Sequence, residues 1–143
     1  MTLATAESIT GGLIGHVLTE TPGSSRVFLG GVVTYDNRLK ERIGVSAQTL
    51  ATHGAVSEQT ALAMAKGISA WAGADVGVAV TGIAGPGGAT ETKAVGLTYV
   101  AVADGDGVVS ERHVWTGDRS ANKISTADAA LRLVLKRLDD GKT

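Results

Sequence analysis

Residues Val76 to Val80 form a nearly continuous apolar run that opens directly into TGIAGPGG, Thr81 to Gly88. An apolar run of that length reads as a strand buried on both faces, the kind found inside covered sheets. The loop after it holds four glycines and a proline. Such a loop either brings bare backbone close to something or serves as a flexible connector. It has neither the lysine and spacing of a P-loop nor the dinucleotide fingerprint. Its place at the carboxyl end of a strand is where open α/β sheets bind ligands.

The rest of the chain supplies partners for that strand. Thr2 to Ala6 reads as a very short strand, and ESITGG (Glu7 to Gly12) as a strand-to-helix corner. Leu13, Ile14, Val17 and Leu18 follow with helical spacing. Ser8 and Thr10 are candidate N-caps. Backbone N–H groups at such a corner attract anions, although Glu7 opposes this unless it is itself paired. Val27 to Tyr35 reads as a central strand, in which Gly30-Gly31 marks a bulge or a close backbone approach. Asp36 is placed to cap a helix from Asn37 to Ile43, and Ser46 to Thr52 is a further short helix. Ser57 caps the next helix, whose buried stripe is Ala61, Leu62, Ala65, Ile68 and Ala72. Val95 to Ala103 and Val108 to Trp115 flank DGDG, a hairpin signal, so these strands run antiparallel and the sheet is mixed. A last helix carries the stripe Ile124, Ala127, Leu131, Val134 and Leu138.

Within this frame one stretch carries the residue types for chemistry. TPGSSRVFLGGVVTYDNRLK places a hydroxyl on a turn, a phenol at a strand end and an amine one helical turn later: Ser25, Tyr35 and Lys40. Converging, they suffice for attack on a carbonyl without histidine or metal. Read blandly, they are a turn, a strand and a solvated helix, with Lys40 in a surface pair with Asp36 at i, i+4. Arg119 opens the last helix, where the helix dipole disfavours a cation. It either forks onto a nearby carboxylate or carbonyl, or binds an anion.

Composition removes other classes. The 143 residues fit one domain, residues 1–143. There is no cysteine, which excludes disulfides, thiolate catalysis and Cys-ligated zinc. The three histidines lack metal-ligand spacing, so neither metal nor cofactor is expected. A net charge of −1 gives no basic face for nucleic acid. No apolar run is long enough to span a bilayer, and no signal peptide is visible. A cytoplasmic location is expected. Antiparallel edge strands often pair between subunits, so a homo-oligomer is expected.

Five blocks in one order carry a family resemblance: AESITGG (Ala6 to Gly12), PGSSRVFLGGVVTYDNRLK (Pro22 to Lys40), HGAVSE (His53 to Glu58), AVTGIAGPGG (Ala79 to Gly88) and GDR (Gly117 to Arg119). The chain resembles the CinA C-terminal domain family, the nicotinamide-nucleotide amidases. The resemblance implies a three-layer α/β/α sandwich around a mixed sheet. It implies hydrolysis of the carboxamide of nicotinamide mononucleotide to nicotinate mononucleotide and ammonia. The family's proposed nucleophile falls on Ser25, and its tyrosine and lysine on Tyr35 and Lys40. Its substrate contacts fall on Ser8, Thr10, Thr81, Gly82 and Arg119. In that scheme Lys40 or Tyr35 takes the proton of Ser25, and the Ser24-Ser25 turn holds the oxyanion. Arg119 and a glycine-rich corner hold the phosphate. Members commonly carry cysteine where this chain has Ile9. They also carry a helix before the first strand, so a sheet edge or face is expected to lie uncovered here. The competing readings are a non-catalytic nucleotide-binding module, a Ser-Lys amidase or peptidase with other substrates, and a regulatory partner in DNA uptake or damage response.

Overall fold

A computed structural model describes residues 1–141. The elements in order are β1 (Leu3–Glu7), α1 (Leu13–Thr19), a 3-10 turn (Ser24–Arg26), β2 (Phe28–Val33), α2 (Asn37–Arg42), α3 (Ala47–His53) and α4 (Glu58–Ala72), followed by β3 (Val76–Gly82), β4 (Leu97–Asp104), β5 (Gly107–Val114) and α5 (Arg119–Asp140). The five strands form one sheet in the order β2-β1-β3-β4-β5. β2, β1 and β3 are parallel, while β3, β4 and β5 are antiparallel. The sheet is therefore mixed, with the hairpin turning at Asp104–Gly107 as DGDG specifies.

Period-two alternation in the central strands sorts the two faces. Val76, Val78, Val80, Val100 and Val102 pack with Ile14, Ala127, Ala130, Leu133 and Val134 under α1 and α5. Ala79, Ala101 and Ala103 face the opposite way, against Ala61, Met64, Ala65 and Ile68 of α4 and against Ile43, Val45 and Leu50. Small residues on that face let α4 approach the sheet closely. A side chain on Gly77 would collide with the Ala65 carbonyl.

Local signals hold at most helix starts. Asp36, Ser46, Ser57 and Asp118 each accept a backbone N–H as N-cap. α1 departs from expectation. Neither Ser8 nor Thr10 caps it: Gly12 precedes the helix, and its first-turn amides of Ile14 and Gly15 are taken by Glu7 instead.

Two further expectations need correction. β2 is not central but the edge strand. Hydrophobic content cannot reveal this, because strand order is a non-local property. Its glycines do what their type implies. The register slips between Leu3 and Ala4, so that Phe28 and then Gly30 are paired, and a side chain on Gly31 would strike Thr5. In α5, Ile124 is 61% exposed. The buried face runs through Asn122, Thr126, Ala127, Ala130, Leu133 and Val134. Ile124 stands about 200° round the helix from Asn122. The polar pair Asn122 and Thr126 belongs to the core, which rotates the stripe away from Ile124.

Candidate active site

The carboxyl ends of β1 and β3, together with the start of α5, enclose a pocket of about 260 Å³. Its wall includes Ser8, Tyr35, Lys40, Thr81, Gly82 and Arg119. Parallel pairing explains the gathering. Glu7 lies level with Val33 on one side and Val80 on the other, so the segments leaving all three strands emerge together.

Lys40 is the most unusual of these groups. Its α2 begins just past β2, and the side chain folds back under the strand end, leaving the residue 1% exposed. Nζ donates to the Thr34 carbonyl at 2.6 Å and the Tyr35 carbonyl at 3.3 Å. Ser8 Oγ lies 3.4 Å from the same nitrogen. The expected surface pair with Asp36 does not form, because Asp36 binds the Arg38 guanidinium instead. Among the described residues no carboxylate forms an ion pair with Lys40. Burial pushes its pKa below the ordinary lysine value, and the charge of Asp36 opposes this only in part. A neutral amine has two N–H donors and one lone pair. Nζ thus donates to the Thr34 and Tyr35 carbonyls and to the Ser8 hydroxyl; in the neutral form its lone pair would face that hydroxyl.

Ser25 is placed elsewhere. The turn that holds it precedes β2, whose first residues pair with the start of β1, and Ser25 is exposed. Tyr35 and Lys40 follow the other end of β2. The six residues of β2 alone separate the ends by about 17 Å at 3.3 Å per residue. Ser25 therefore cannot meet Lys40 within one chain, and the expected convergence of Ser25, Tyr35 and Lys40 is corrected. The hydroxyl that does reach the amine is Ser8, expected only as a substrate contact.

Thr10 also drops out of the pocket. Its hydroxyl donates to Glu7 Oε1 at 2.6 Å. Glu7 is 2% exposed and further accepts the backbone N–H groups of Ile14 at 2.8 Å and Gly15 at 3.0 Å. A built-in carboxylate thus occupies the anion site of this corner, and the α1 N-terminus is closed to a phosphate.

The other glycine-rich segment remains open to ligand. Gly85, Gly87 and Gly88 line the pocket, and the Gly85–Pro86 bond is cis. Arg119 Nη1 donates to the Gly85 carbonyl at 2.9 Å, and Nη2 to the Tyr35 hydroxyl at 3.4 Å. Of the two readings for Arg119, the fork onto a carbonyl is present. It leaves further guanidinium donors available at the pocket wall. Thr81 donates its hydroxyl to the Ala55 carbonyl at 2.8 Å, which holds the HGAVSE segment against the site. Gly54 within that segment accepts the hydroxyls of Ser57 and Thr60.

Sequence reasoning missed Asn122. Buried at the first turn of α5, it donates from Nδ2 to the Ala84 carbonyl and accepts the Gly117 N–H on Oδ1. It ties the glycine loop to the helix that carries Arg119. The signal was there: Asn122 and Thr126, four apart, put polar groups on the apolar face. The histidines play no such part. His16 pairs with Glu20 on the surface, and His113 stacks on Trp115. Among the described residues no group of acidic and histidine side chains could hold a metal, and no helix is long and apolar enough to cross a membrane.

A layered mixed sheet with a lysine-centred pocket at its parallel strand ends is thus the class of structure. A family model described as the CinA C-terminal domain matches residues 1–138, and the chain belongs to that family. It is 51% identical over 146 residues to a CinA-like protein of Chlorobaculum tepidum, covering 98% of this chain and 34% of that protein. A competence-damage inducible protein of Desulforudis audaxviator is 51% identical over 135 residues, covering 94% of this chain and 33% of that protein. The chain thus spans about a third of the length of these curated relatives. Among solved structures, the competence/damage inducible protein CihA of Agrobacterium tumefaciens superposes with TM-score 0.92 at 44% identity, covering 95% of this chain and 84% of that one. A CinA superfamily protein of Klebsiella pneumoniae superposes with TM-score 0.93 at 33% identity, covering 97% and 88%.

Proposed function

We propose that this chain is an amidohydrolase that converts the carboxamide of nicotinamide mononucleotide to the carboxylate and ammonia. The observation that carries the reading is Lys40: a buried amine that has no carboxylate ion-pair partner among the described residues, with a serine hydroxyl in reach at the wall of a pocket. A structural lysine would be paired or would reach solvent. A general base needs what burial does here, a lowered pKa.

In the proposed reaction Lys40 takes the proton of Ser8 as Ser8 Oγ bonds to the carboxamide carbon. The tetrahedral adduct collapses with cleavage of the C–N bond, and Lys40 returns the proton to the departing ammonia. Water then cleaves the ester, releasing nicotinate mononucleotide and restoring the hydroxyl. The Tyr35 carbonyl holds the Lys40 amine in place, and the Tyr35 hydroxyl braces Arg119. Arg119 and the bare backbone at Gly87 and Gly88 form the contact for the phosphate. Ser8 replaces Ser25 as nucleophile because, among the described residues, Ser8 is the hydroxyl within reach of Lys40 Nζ.

The test is ammonia release from nicotinamide mononucleotide, with free nicotinamide as control. Release from the nucleotide alone is expected. Saturable binding without ammonia at high protein concentration would leave a nucleotide-binding module. The relatives' names refer to competence and damage. A net charge of −1 offers a direct DNA contact no electrostatic support.

A further inference from the structure

We propose that Lys93 is a positioning residue of the pocket: its amine latches the glycine-rich loop to the end of α3 and so fixes the opening through which a nucleotide enters and leaves. The proposal deepens the reading of this pocket as a nucleotide site, and its binding test rests on that reading; its exchange test does not.

Two walls of the pocket come from distant parts of the chain. Ala55 and Val56 form one, and Gly85, Gly87 and Gly88 the other. The first wall is suspended from three successive carbonyls. Gly54 accepts the hydroxyls of Ser57 and Thr60, and Ala55 accepts that of Thr81. The third carbonyl, that of His53, ends α3, where a carbonyl has no partner inside the helix. Lys93 Nζ donates to it at 2.7 Å. Among the described residues this is the one hydrogen bond between residues 53–57 and residues 83–96.

The second wall is a strap with fixed ends. At its base the Ile83 N–H donates to the Leu97 carbonyl, and the Gly96 N–H to the Ile83 carbonyl. α5 holds its near side, through Asn122 on the Ala84 carbonyl and Arg119 on the Gly85 carbonyl. On its far side the Thr90 N–H donates to the Lys93 carbonyl and the Lys93 N–H to the Thr90 hydroxyl, a turn from which the Lys93 side chain reaches His53. Residues 86–92 are exposed. Gly87 and Gly88 therefore hang between two tethers, α5 and Lys93.

The backbone leaves room for the amine. Gly54 has a φ of 79°, and a side chain there would place its first carbon 2.9 Å from Lys93 Nζ. No carboxylate forms an ion pair with Lys93 among the described residues, so the His53 carbonyl is its acceptor. A single bond to an exposed carbonyl is weak enough to open and close thermally. Such a latch sets affinity and not the chemical step, because Ser8 and Lys40 take no hydrogen bond from the loop.

Lys93→Met and Lys93→Arg test the proposal. The Thr90 and Gly54 amides are hydrogen-bonded on either side of the latch. Their hydrogen exchange, followed by NMR in the free protein, is expected to quicken about tenfold in Lys93→Met with the urea midpoint unchanged. Lys93→Arg is expected to return toward wild type, since a guanidinium also donates to a carbonyl. By calorimetry, nicotinamide mononucleotide is expected to bind Lys93→Met about tenfold more weakly, with KM raised to match and kcat within about twofold. Unchanged exchange at both amides, wild-type affinity in Lys93→Met, or no recovery in Lys93→Arg overturns the latch. Exchange quickened across the whole chain with a lowered urea midpoint also overturns it, since that marks a merely structural lysine. A wild type that binds the nucleotide with this dependence on Lys93 and releases no ammonia upholds the latch and sinks only the amidase reading.

Discussion

Lys40 Nζ and Ser8 Oγ lie 3.4 Å apart, brought together across 32 residues by the parallel pairing of β1 with β2. In the proposed reaction this contact sets the pH dependence of catalysis. As the proposed base Lys40 has to lose its proton, and burial lowers its pKa from the free value of 10.5. The ratio kcat/KM is therefore expected to rise with pH along a limb whose midpoint lies below 10.5. Lys40→Met abolishes that limb and lowers turnover by roughly 10²–10⁴-fold, the usual contribution of a positioned base.

The same burial couples Lys40 to stability. Its folded-state pKa lies below the unfolded one, so between the two values the unfolded chain binds the extra proton. Stability contributed by this group therefore rises with pH across that window and levels off above 10.5. Each unit of lowering corresponds to about 1.4 kcal/mol. Urea denaturation at a series of pH values is expected to show this slope in the wild type and to lose it in Lys40→Met.

Arg119→Ala is expected to raise KM for nicotinamide mononucleotide by about 10- to 100-fold with little change in kcat. That is the loss of one charge-assisted contact of roughly 1.5–3 kcal/mol. Arg119→Lys restores only part of it, because a point charge lacks the planar fork that spans a phosphate and the Gly85 carbonyl. Steady-state kinetics on the two variants separates binding from chemistry.

Glu7 is a structural anion. Glu7→Ala leaves the N–H groups of Ile14 and Gly15 and the Thr10 hydroxyl without their acceptor. A cost of about 3 kcal/mol in urea denaturation is expected, with Glu7→Gln costing less because an amide oxygen still accepts. Phosphate added to Glu7→Ala is expected to recover part of the loss by occupying the vacated helix terminus.

What the sequence disclosed follows the range of each signal. Asp36 and Ser57 were legible as caps because a cap is settled within three residues. The DGDG hairpin was legible for the same reason. The five motif blocks located the pocket, and Ser8, Tyr35, Lys40, Thr81, Gly82 and Arg119 line it. β2 gave no sign of being an edge strand, since an apolar run reads alike at an edge and in the middle of a sheet. The separation of Ser25 from Lys40 follows from the length of that strand alone, whatever its place in the sheet. Ile124 misled because an apolar stripe was traced without Asn122, whose polar side chain occupies the buried face to hold the Ala84 carbonyl. Glu7 was recognised as an obstacle to anion binding but not as the anion bound.

Activation of Ser8 by Lys40 toward a carboxamide underlies the proposed reaction. It is tested most directly by acid-quenching wild-type protein during its first turnover of nicotinamide mononucleotide and mapping the covalent adduct by peptide mass spectrometry. An acyl ester on Ser8, absent in Lys40→Met, is expected. Full ammonia release by Ser8→Ala, or an ester on any other side chain, would contradict it.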